Sequence, residues 1–284
     1  MSPVHLTPEM CERGYNNRAA VPDYPAYFTR WAADSAATRA ELKPELDVRY
    51  GKRPKETMDL FSAGGRRGLL VFIHGGYWRA LDKSDFSYLV RPFVAEGIDV
   101  AMVNYDLCPS VDIGTIIDEC RNAAAWLLRE GAAHGLATRN VVISGDSAGG
   151  HLAAVLHATD WAAMKVDPSP IKASVSVSGV FDLEPLIHTS MNPDLRLNSE
   201  NAAAWSTVHK RPTLAAPLLI AVGTIETSEF VRQSQLQWDA WPEVRPSSTA
   251  SGPLMLEGCH HFSAMDALAD VRSPLFRETL KFFG

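Results

Sequence analysis

Apolar residues fall into short continuous runs along most of the chain, and the stretches between these runs have helical spacing. Continuous apolar runs are typical of strands that are buried on both faces. They predict strands at 68–73, 98–105, 140–145, 171–179, 216–223 and 252–258. The intervening periodicity predicts helices at 84–97, 113–133, 147–160 and 229–241, with two more at the end of the chain. Strands that alternate with helices favour one mostly parallel, doubly wound sheet.

Two further strands are expected before the first of these runs. Residues 46–51 and 57–61 alternate apolar and polar side chains in the manner of antiparallel strands. They bring the expected sheet to about eight strands. Residues 1–45, which precede them, are rich in Tyr, Trp and Pro and are predicted to form an N-terminal arm with helical pieces.

One internal segment interrupts the alternation of strands and helices. Residues 182–212 have helical character without an intervening strand, and we expect them to form a small helical lid over the sheet. The sequence contains no internal repeat and no linker-like tract. We therefore expect a single domain over 1–284, with 46–181 and 213–284 as its core.

The charge and the apolar content limit the classes of partner. The chain has 284 residues and a formal net charge of −6, without a basic stripe, so a nucleic-acid partner is not expected. No apolar run approaches the roughly 20 residues that a helix needs to cross a bilayer, so no membrane association is expected. The first residues also lack the apolar segment of a secretory signal.

The cysteines indicate a reducing compartment. Cys11, Cys108, Cys120 and Cys259 are scattered and form no Cys-x-x-Cys pair, which favours free thiols over disulfides or a zinc site. We expect a soluble, cytoplasmic protein that uses no cofactor and no metal. Its expected partner is a small-molecule substrate, and a homodimer is compatible with the composition.

The segment "NVVISGDSAGGHLAA" carries the strongest chemical signal. Gly145-Asp146-Ser147-Ala148-Gly149 is a Gly-x-Ser-x-Gly sequence that follows a predicted strand and begins a predicted helix. This is the context of a nucleophile elbow, where a strained turn exposes the serine hydroxyl. Gly145 and Gly149 would remove side chains that collide with the neighbouring strand and helix. The sequence lacks a Gly-x-x-x-x-Gly-Lys-Ser/Thr phosphate loop.

A serine hydroxyl needs a base to accept its proton, and that base needs an acid to orient it. In this type of sheet the chain order is serine, acid, histidine. After the strand that ends near residue 223, Glu226 and Glu229 are the candidate acids. After the last strand, His260 and His261 stand side by side as candidate bases. These residue positions leave both choices open.

The sequence "HGGYW" at 74–78 follows a predicted strand at the point where an oxyanion-binding loop would lie. Attack on a carbonyl creates an oxyanion, which preorganised N–H groups must stabilise. One donor is expected from Ala148, the residue after the serine, and others from Gly76 and Tyr77, with Gly75 as a further candidate.

The side chains of the same loop have different expected roles. His74 is expected to brace the loop rather than to act as a base. Tyr77 and Trp78 are expected to line the substrate pocket, and core packing is the alternative for both.

Several segments together resemble a known family. The likeness is to the hormone-sensitive-lipase branch of the α/β-hydrolase fold and, more closely, to the serine-dependent kynurenine formamidases, also called arylformamidases. It covers nearly the whole chain and is carried by "YNNRAAVPDYP" (15–25), "RYG" (49–51), "MDLF" (58–61), "HGGYW" (74–78), "NYDLCP" (104–109), "SGDSAGGHLAA" (144–154), "SGVFDLEPL" (178–186), "VGTIETSEFVRQS" (222–234) and "HHFSAMDAL" (260–268).

The resemblance implies an α/β-hydrolase fold and specific roles for three residues. It implies Ser147 as the nucleophile, Glu226 as the acid and His261 as the base. It also implies hydrolysis of an N-formyl arylamide such as N-formylkynurenine, a reaction of tryptophan catabolism. No His-Glu-x-x-His sequence or clustered His/Asp spacing matches the metal-dependent formamidases.

Two other functions are compatible with these residues. A carboxylesterase for small acyl esters would use the same serine, histidine and glutamate. A non-catalytic binding protein on the hydrolase fold is a further alternative, since a fold does not determine a function. Because such proteins usually lack a complete triad, we expect a Ser-His-Glu acyl-transfer enzyme.

Overall fold

An eight-stranded sheet organises the computed structural model, which describes residues 6–64 and 67–284. Residues 1–5 of the predicted arm lie outside the described residues. The sheet order is β1-β2-β4-β3-β5-β6-β7-β8. Strands β1 and β2 are antiparallel to their neighbours, and all the other pairs are parallel. The strands are Glu45–Arg49 (β1), Thr57–Phe61 (β2), Gly68–Ile73 (β3), Ile98–Val103 (β4), Val141–Asp146 (β5), Ile171–Val177 (β6), Leu218–Gly223 (β7) and Leu254–Leu256 (β8).

Helices follow the strands in the predicted alternation and are preceded by a helical arm. The predicted mostly parallel sheet of the α/β class is therefore confirmed. The α-helices are Pro8–Tyr15 (α1), Asn17–Ala20 (α2), Tyr24–Leu42 (α3), Val90–Ala95 (α4), Ile113–Glu130 (α5), Ala148–His157 (α6), Asn192–Leu195 (α7), Ser199–Trp205 (α8), Ser228–Ala240 (α9), His261–Asp266 (α10) and Pro274–Lys281 (α11).

The core lies on both faces of the sheet. One large apolar cluster includes Ile116 of α5 and Leu152 of α6, and a second includes Trp31 of α3, Phe93 of α4 and Phe276 of α11. All six residues of β3 and of β4 are buried, which accounts for their continuous apolar sequences. The carboxyl ends of these parallel strands meet at one edge, where loops can bring distant residues together.

The predicted helix over 84–97 is shorter in the structure. Two 3₁₀ turns, Lys83–Asp85 and Ser87–Leu89, precede α4. Pro92 explains the difference, because proline lacks an N–H and its ring would collide with the carbonyl four residues earlier in a continuous α-helix. In the first turn of α4 that N–H is not needed.

The predicted insertion at 182–212 consists of helical pieces without a strand. It contains a 3₁₀ turn at Glu184–His188, followed by α7 and α8. Ser190 and Met191 in this segment border a pocket that Ser147 also lines. That the segment serves as a lid stays a prediction.

Specific hydrogen bonds connect the described part of the arm to the rest of the domain. The Thr227 hydroxyl donates to the Gly14 carbonyl at 2.6 Å, and the Trp31 indole donates to Asp266 Oδ1 at 2.8 Å. The Tyr77 hydroxyl donates to the Tyr15 carbonyl at 2.6 Å. The arm is thus an integral part of the wall around the site.

Two further sequence expectations concern the cysteines and membrane-spanning helices. All four cysteines are free, and three of them are buried. Across residues 6–64 and 67–284, no helix combines the length and the apolarity that crossing a bilayer requires.

Candidate active site

Ser147 lies on a strained turn between β5 and α6. Its φ is 54°, a left-handed conformation that is unusual for a residue with a side chain. Two glycines allow the turn to pack tightly. A Cβ on Gly145 would lie 2.1 Å from the Gly149 carbonyl oxygen, and a Cβ on Gly149 would lie 2.0 Å from the Ile73 carbonyl oxygen. The close approach expected from the Gly-x-Ser-x-Gly sequence is therefore present.

The structure brings Ser147, His261 and Glu226 into one hydrogen-bonded line. Ser147 Oγ is 3.2 Å from His261 Nε2, and His261 Nδ1 is 2.7 Å from Glu226 Oε2. His261 begins α10 after the last strand, and Glu226 follows β7. A histidine that lies within hydrogen-bond distance of both a serine and a carboxylate can accept the serine proton.

The second oxygen of Glu226 is held by two donors. Glu226 Oε1 accepts from the Ser178 hydroxyl at 2.5 Å and from the Gly223 N–H at 2.8 Å. The Glu226 side chain is fully buried. These donors leave Oε2 directed at His261, so Nδ1 carries the hydrogen and Nε2 is free to accept from Ser147. Sequence reasoning gave Ser178 no role, although this residue begins "SGVFDLEPL" (178–186), one of the segments that carry the resemblance.

The pKa of His261 is raised above its usual value. Burial alone would lower this pKa, but the Glu226 charge and hydrogen bond raise it, and the Asp146 charge adds to them. Because the pKa of His261 is raised overall, the site stabilises the imidazolium, which is the state that forms when His261 accepts the serine proton.

The other candidate acid, Glu229, and the other candidate base, His260, take no part in the hydrogen-bonded line of Ser147, His261 and Glu226. Glu229 accepts from the Tyr15 hydroxyl at 3.0 Å and from Arg232 at 2.8 Å, and thereby fastens the arm to α9. His260 lies 3.0 Å from the Tyr27 hydroxyl and caps α10 by accepting from the Ser263 N–H.

The loop after β3 lies directly against the serine turn. A Cβ on Gly75 would be 3.2 Å from Ser147 Cβ, and one on Gly76 would be 2.2 Å from the Ala80 carbonyl oxygen. Gly76 has φ +105°, and Tyr77 has φ 50°. Within the described part of the chain, the N–H groups of Gly76, Tyr77 and Ala148 have no protein acceptor. They remain available to an oxyanion.

His74 braces this loop, as the sequence predicts. Its ring is fully buried and contacts the Gly75 carbonyl at 2.8 Å and Asn104 Oδ1 at 3.0 Å. The Tyr105 hydroxyl donates to the His74 carbonyl at 2.8 Å. Burial lowers the pKa of His74 to about 4, so its imidazole is neutral at physiological pH.

The two aromatic residues of the loop point to different environments. Tyr77 borders the pocket, as predicted. Trp78 is 0% exposed and contacts the His151 ring edge-on, with centroids 5.2 Å apart. The prediction that Trp78 lines the pocket is therefore wrong, because its side chain packs in the core. Both residues have positive φ, and their rings meet edge-on with centroids 6.3 Å apart. The sequence does not reveal positive φ at non-glycine positions.

A pocket of about 240 Å³ opens above Ser147. Its aromatic lining comes partly from the N-terminal arm and partly from the rest of the domain. Sequence reasoning did not place the arm at the site, although the aromatic residues of "YNNRAAVPDYP" offered a signal. The aromatic residues that line the pocket are Tyr15, Phe28, Trp31, Tyr77, Phe86 and Phe262.

Asp146, directly before the serine, is a buried carboxyl group in the same pocket. Its Oδ1 is enclosed and has no hydrogen-bond partner among the described residues. Burial raises the pKa of Asp146 to about 7, and the positive charge of His261 acts in the opposite direction. The group is therefore partly protonated near neutral pH.

No described set of three or more His, Cys, Asp or Glu side chains is arranged to hold a metal ion. The residues gathered at the site are those of acyl transfer to a serine. Their spatial arrangement can be compared with that of known proteins.

A sequence profile of the BD-FAE family matches residues 58–224, more than half of the chain. The chain belongs to the BD-FAE family. The matched region of this BD-FAE family member spans the loop after β3, the serine turn and β7.

Relatives and solved structures extend the likeness beyond the family region. Kynurenine formamidase of Danio rerio is 27% identical over 267 residues, which cover 91% of this chain and 88% of the relative. Kynurenine formamidase of Salmo salar is 29% identical over 250 residues, 84% of this chain and 82% of the relative. Among solved structures, a proposed thioesterase from Silicibacter sp. TM1040 has a TM-score of 0.82 at 32% identity, covering 94% of this chain and 97% of that one.

The overall fold is shared with esterases as well. Esterase B from Lactobacillus rhamnosis has a TM-score of 0.66 at 20% identity, covering 93% of this chain and 96% of that one. The predicted α/β-hydrolase fold is thus confirmed, and the chain is a hydrolase of this fold class.

Proposed function

We propose that this BD-FAE family member hydrolyses N-formyl arylamides, with N-formylkynurenine as the representative substrate. The observation that carries the proposal is the pair of kynurenine formamidases from fish that align with more than four-fifths of the chain. The geometry supports it, because a serine, a histidine and a buried carboxylate stand in hydrogen-bonded order beside an aromatic-lined pocket.

The proposed reaction begins with attack of Ser147 Oγ on the formyl carbon, while the hydroxyl proton moves to His261 Nε2. Glu226 stabilises the imidazolium, and the N–H groups of Ala148 and of Gly76 or Tyr77 stabilise the oxyanion. The C–N bond then breaks, and His261 gives its proton to the departing arylamine. Water, deprotonated by His261, attacks the formyl-serine. The ester bond to Ser147 Oγ then breaks, His261 returns the proton to Oγ, and formate leaves.

Hydrolysis of small acyl esters is the second candidate function. The carboxylesterase/phospholipase LipF of Mycobacterium tuberculosis is 32% identical over 111 residues, which cover 36% of this chain. An ester would be cleaved by the same three residues, so only the acyl group and the leaving group distinguish the two candidates.

An acyl-length series tests the choice between these candidates. Formyl, acetyl and butyryl derivatives of one arylamine are compared as kcat/KM, after correction for intrinsic reactivity. Because a close-fitting apolar slot discriminates by about 1–3 kcal/mol per methylene, we expect at least a tenfold preference for formyl over acetyl. Similar values across the series would contradict the formamidase proposal and favour the ester alternative.

We also propose that the protein is cytoplasmic. Four unpaired cysteines, of which three are buried, support this location because thiols stay reduced there. Fractionation of native cells tests it, and recovery of the protein outside the cytoplasmic fraction would contradict it.

A further inference from the structure

The part of the arm that borders the catalytic pocket carries a buried amide with unused hydrogen-bonding capacity. Asn17 is 5% exposed and lines the pocket above Ser147. Its Nδ2 is enclosed and has no hydrogen-bond partner among residues 6–64 and 67–284. A buried donor without an acceptor costs free energy, and an acceptor supplied by a ligand recovers it.

The next residue adds a positive charge to the same wall. Arg18 lines the pocket, and its guanidinium lies over the rings of Tyr24 and Phe28, at 5.3 and 5.7 Å from their centroids. Arg18 is exposed, and it takes part in none of the salt bridges in the described part of the chain. The aromatic faces hold the guanidinium without using its hydrogen-bond donors, so those donors are available to a planar anion.

The other charged groups of the pocket are already engaged. Arg79 is paired with Asp194. Glu12 accepts from the Ser190 N–H at 2.7 Å and from the Ser190 hydroxyl at 2.9 Å, and also from Asn16.

Asp146 is the remaining acid in the pocket. Burial raises the pKa of its carboxyl to about 7, which reduces its negative charge at neutral pH. Glu12 is hydrogen-bonded but has no cationic partner in the described part of the chain. Among the basic groups that line the pocket, Arg79 pairs with Asp194 and His261 with Glu226, whereas Arg18 has no carboxylate partner in that part of the chain, and Asn17 Nδ2 beside it lacks an acceptor.

We propose that Asn17 and Arg18 bind a carboxylate carried by the leaving group of the substrate, and that the arm thereby determines substrate specificity. This inference rests on the proposed function, since it takes the pocket above Ser147 as the site of acyl transfer. The substrate class is accordingly an N-acyl arylamine whose aryl part bears a carboxylate. A hydrogen-bonded pair of this kind is charge-assisted and therefore stronger than one between neutral groups.

The test compares two substrates that differ only in this charge, N-formylkynurenine and its carboxamide. We expect the wild-type protein to prefer the carboxylate about tenfold to hundredfold in kcat/KM, mainly through KM. Arg18→Gln and Asn17→Ala should each remove most of this preference, because kcat/KM falls more for the carboxylate than for the carboxamide. Arg13→Gln is the matched control, because Arg13 is an exposed arm residue outside the pocket, and it should keep the preference.

Two results would overturn the proposal. One is a wild-type protein that does not distinguish the carboxylate from the carboxamide. The other is a pair of variants, Arg18→Gln and Asn17→Ala, that lose activity equally on both substrates, because that pattern indicates a structural role for the arm.

A parallel pair of esters separates this inference from the proposed function. If neither formamide is cleaved, formamidase activity fails, and 3-acetoxybenzoate is then compared with phenyl acetate. A preference for the carboxylate that Arg18→Gln removes supports the arm site even in that case. The absence of such a preference overturns it.

Discussion

At the scale of single residues, the role of each carboxylate at the site depends on which protein groups donate hydrogen bonds to it. Glu226 and Glu229 are three positions apart on the same loop and helix, yet Glu226 faces His261 whereas Glu229 faces Tyr15 and Arg232. Donors from Ser178 and Gly223 fix the orientation of the Glu226 carboxylate. The two acids can therefore be separated by their effects on catalysis and on stability.

Glu226→Gln is predicted to lower kcat by about 10⁴-fold, because the amide cannot stabilise the imidazolium and favours the wrong tautomer. The measurement is kcat for a formamide and for an ester substrate. Glu229→Gln is the matched control and is predicted to lower the melting temperature, with kcat within a few-fold of the wild type. A larger loss of kcat in Glu229→Gln than in Glu226→Gln would refute this assignment.

The raised pKa of His261 predicts how kcat/KM depends on pH. The base must be neutral to accept the serine proton, so kcat/KM should increase as pH rises through this pKa, with a midpoint above the usual value of about 6.5. Because the charge of Asp146 also raises this pKa, Asp146→Asn should move the midpoint of the kcat/KM profile to lower pH. A midpoint that stays in place in Asp146→Asn would argue against this coupling.

At the scale of elements, the serine turn exists because β3, β5 and α6 approach each other more closely than side chains permit. The carbonyl oxygen of Ile73 at the end of β3 occupies the space that a Cβ on Gly149 would need. The strain of Ser147 at φ 54° is maintained by this packing rather than by the turn itself.

Gly149→Ala is therefore predicted to lower the free energy of unfolding by about 1–3 kcal/mol or more, because the new methyl group forces backbone atoms apart. Gly252→Ala is the control, since a Cβ there meets nothing within 4 Å and φ is not positive. It should be neutral or slightly stabilising. Chemical denaturation measures both variants, and equal stability of the two would contradict the close approach.

At the scale of the whole molecule, local sequence patterns predict the sheet, whereas contacts between residues far apart in the chain determine which side chains line the pocket. The apolar runs of β3 and β4 and the Gly-x-Ser-x-Gly sequence around Ser147 lie in short segments, so they could be predicted from the sequence. The residue positions left the acid and the base open, and only the family resemblance implied Glu226 and His261. The docking of the arm could not be predicted, because it depends on contacts such as Thr227 with Gly14, which lie far apart in the chain.

The central claim is that Ser147 is the nucleophile of a formamide hydrolase, and kcat for N-formylkynurenine hydrolysis by Ser147→Ala tests it most directly. The variant should retain the wild-type circular dichroism spectrum and lose about 10⁵- to 10⁶-fold in kcat, since an alanine cannot form the acyl intermediate. A correctly folded Ser147→Ala protein with kcat within tenfold of the wild-type value would contradict the account.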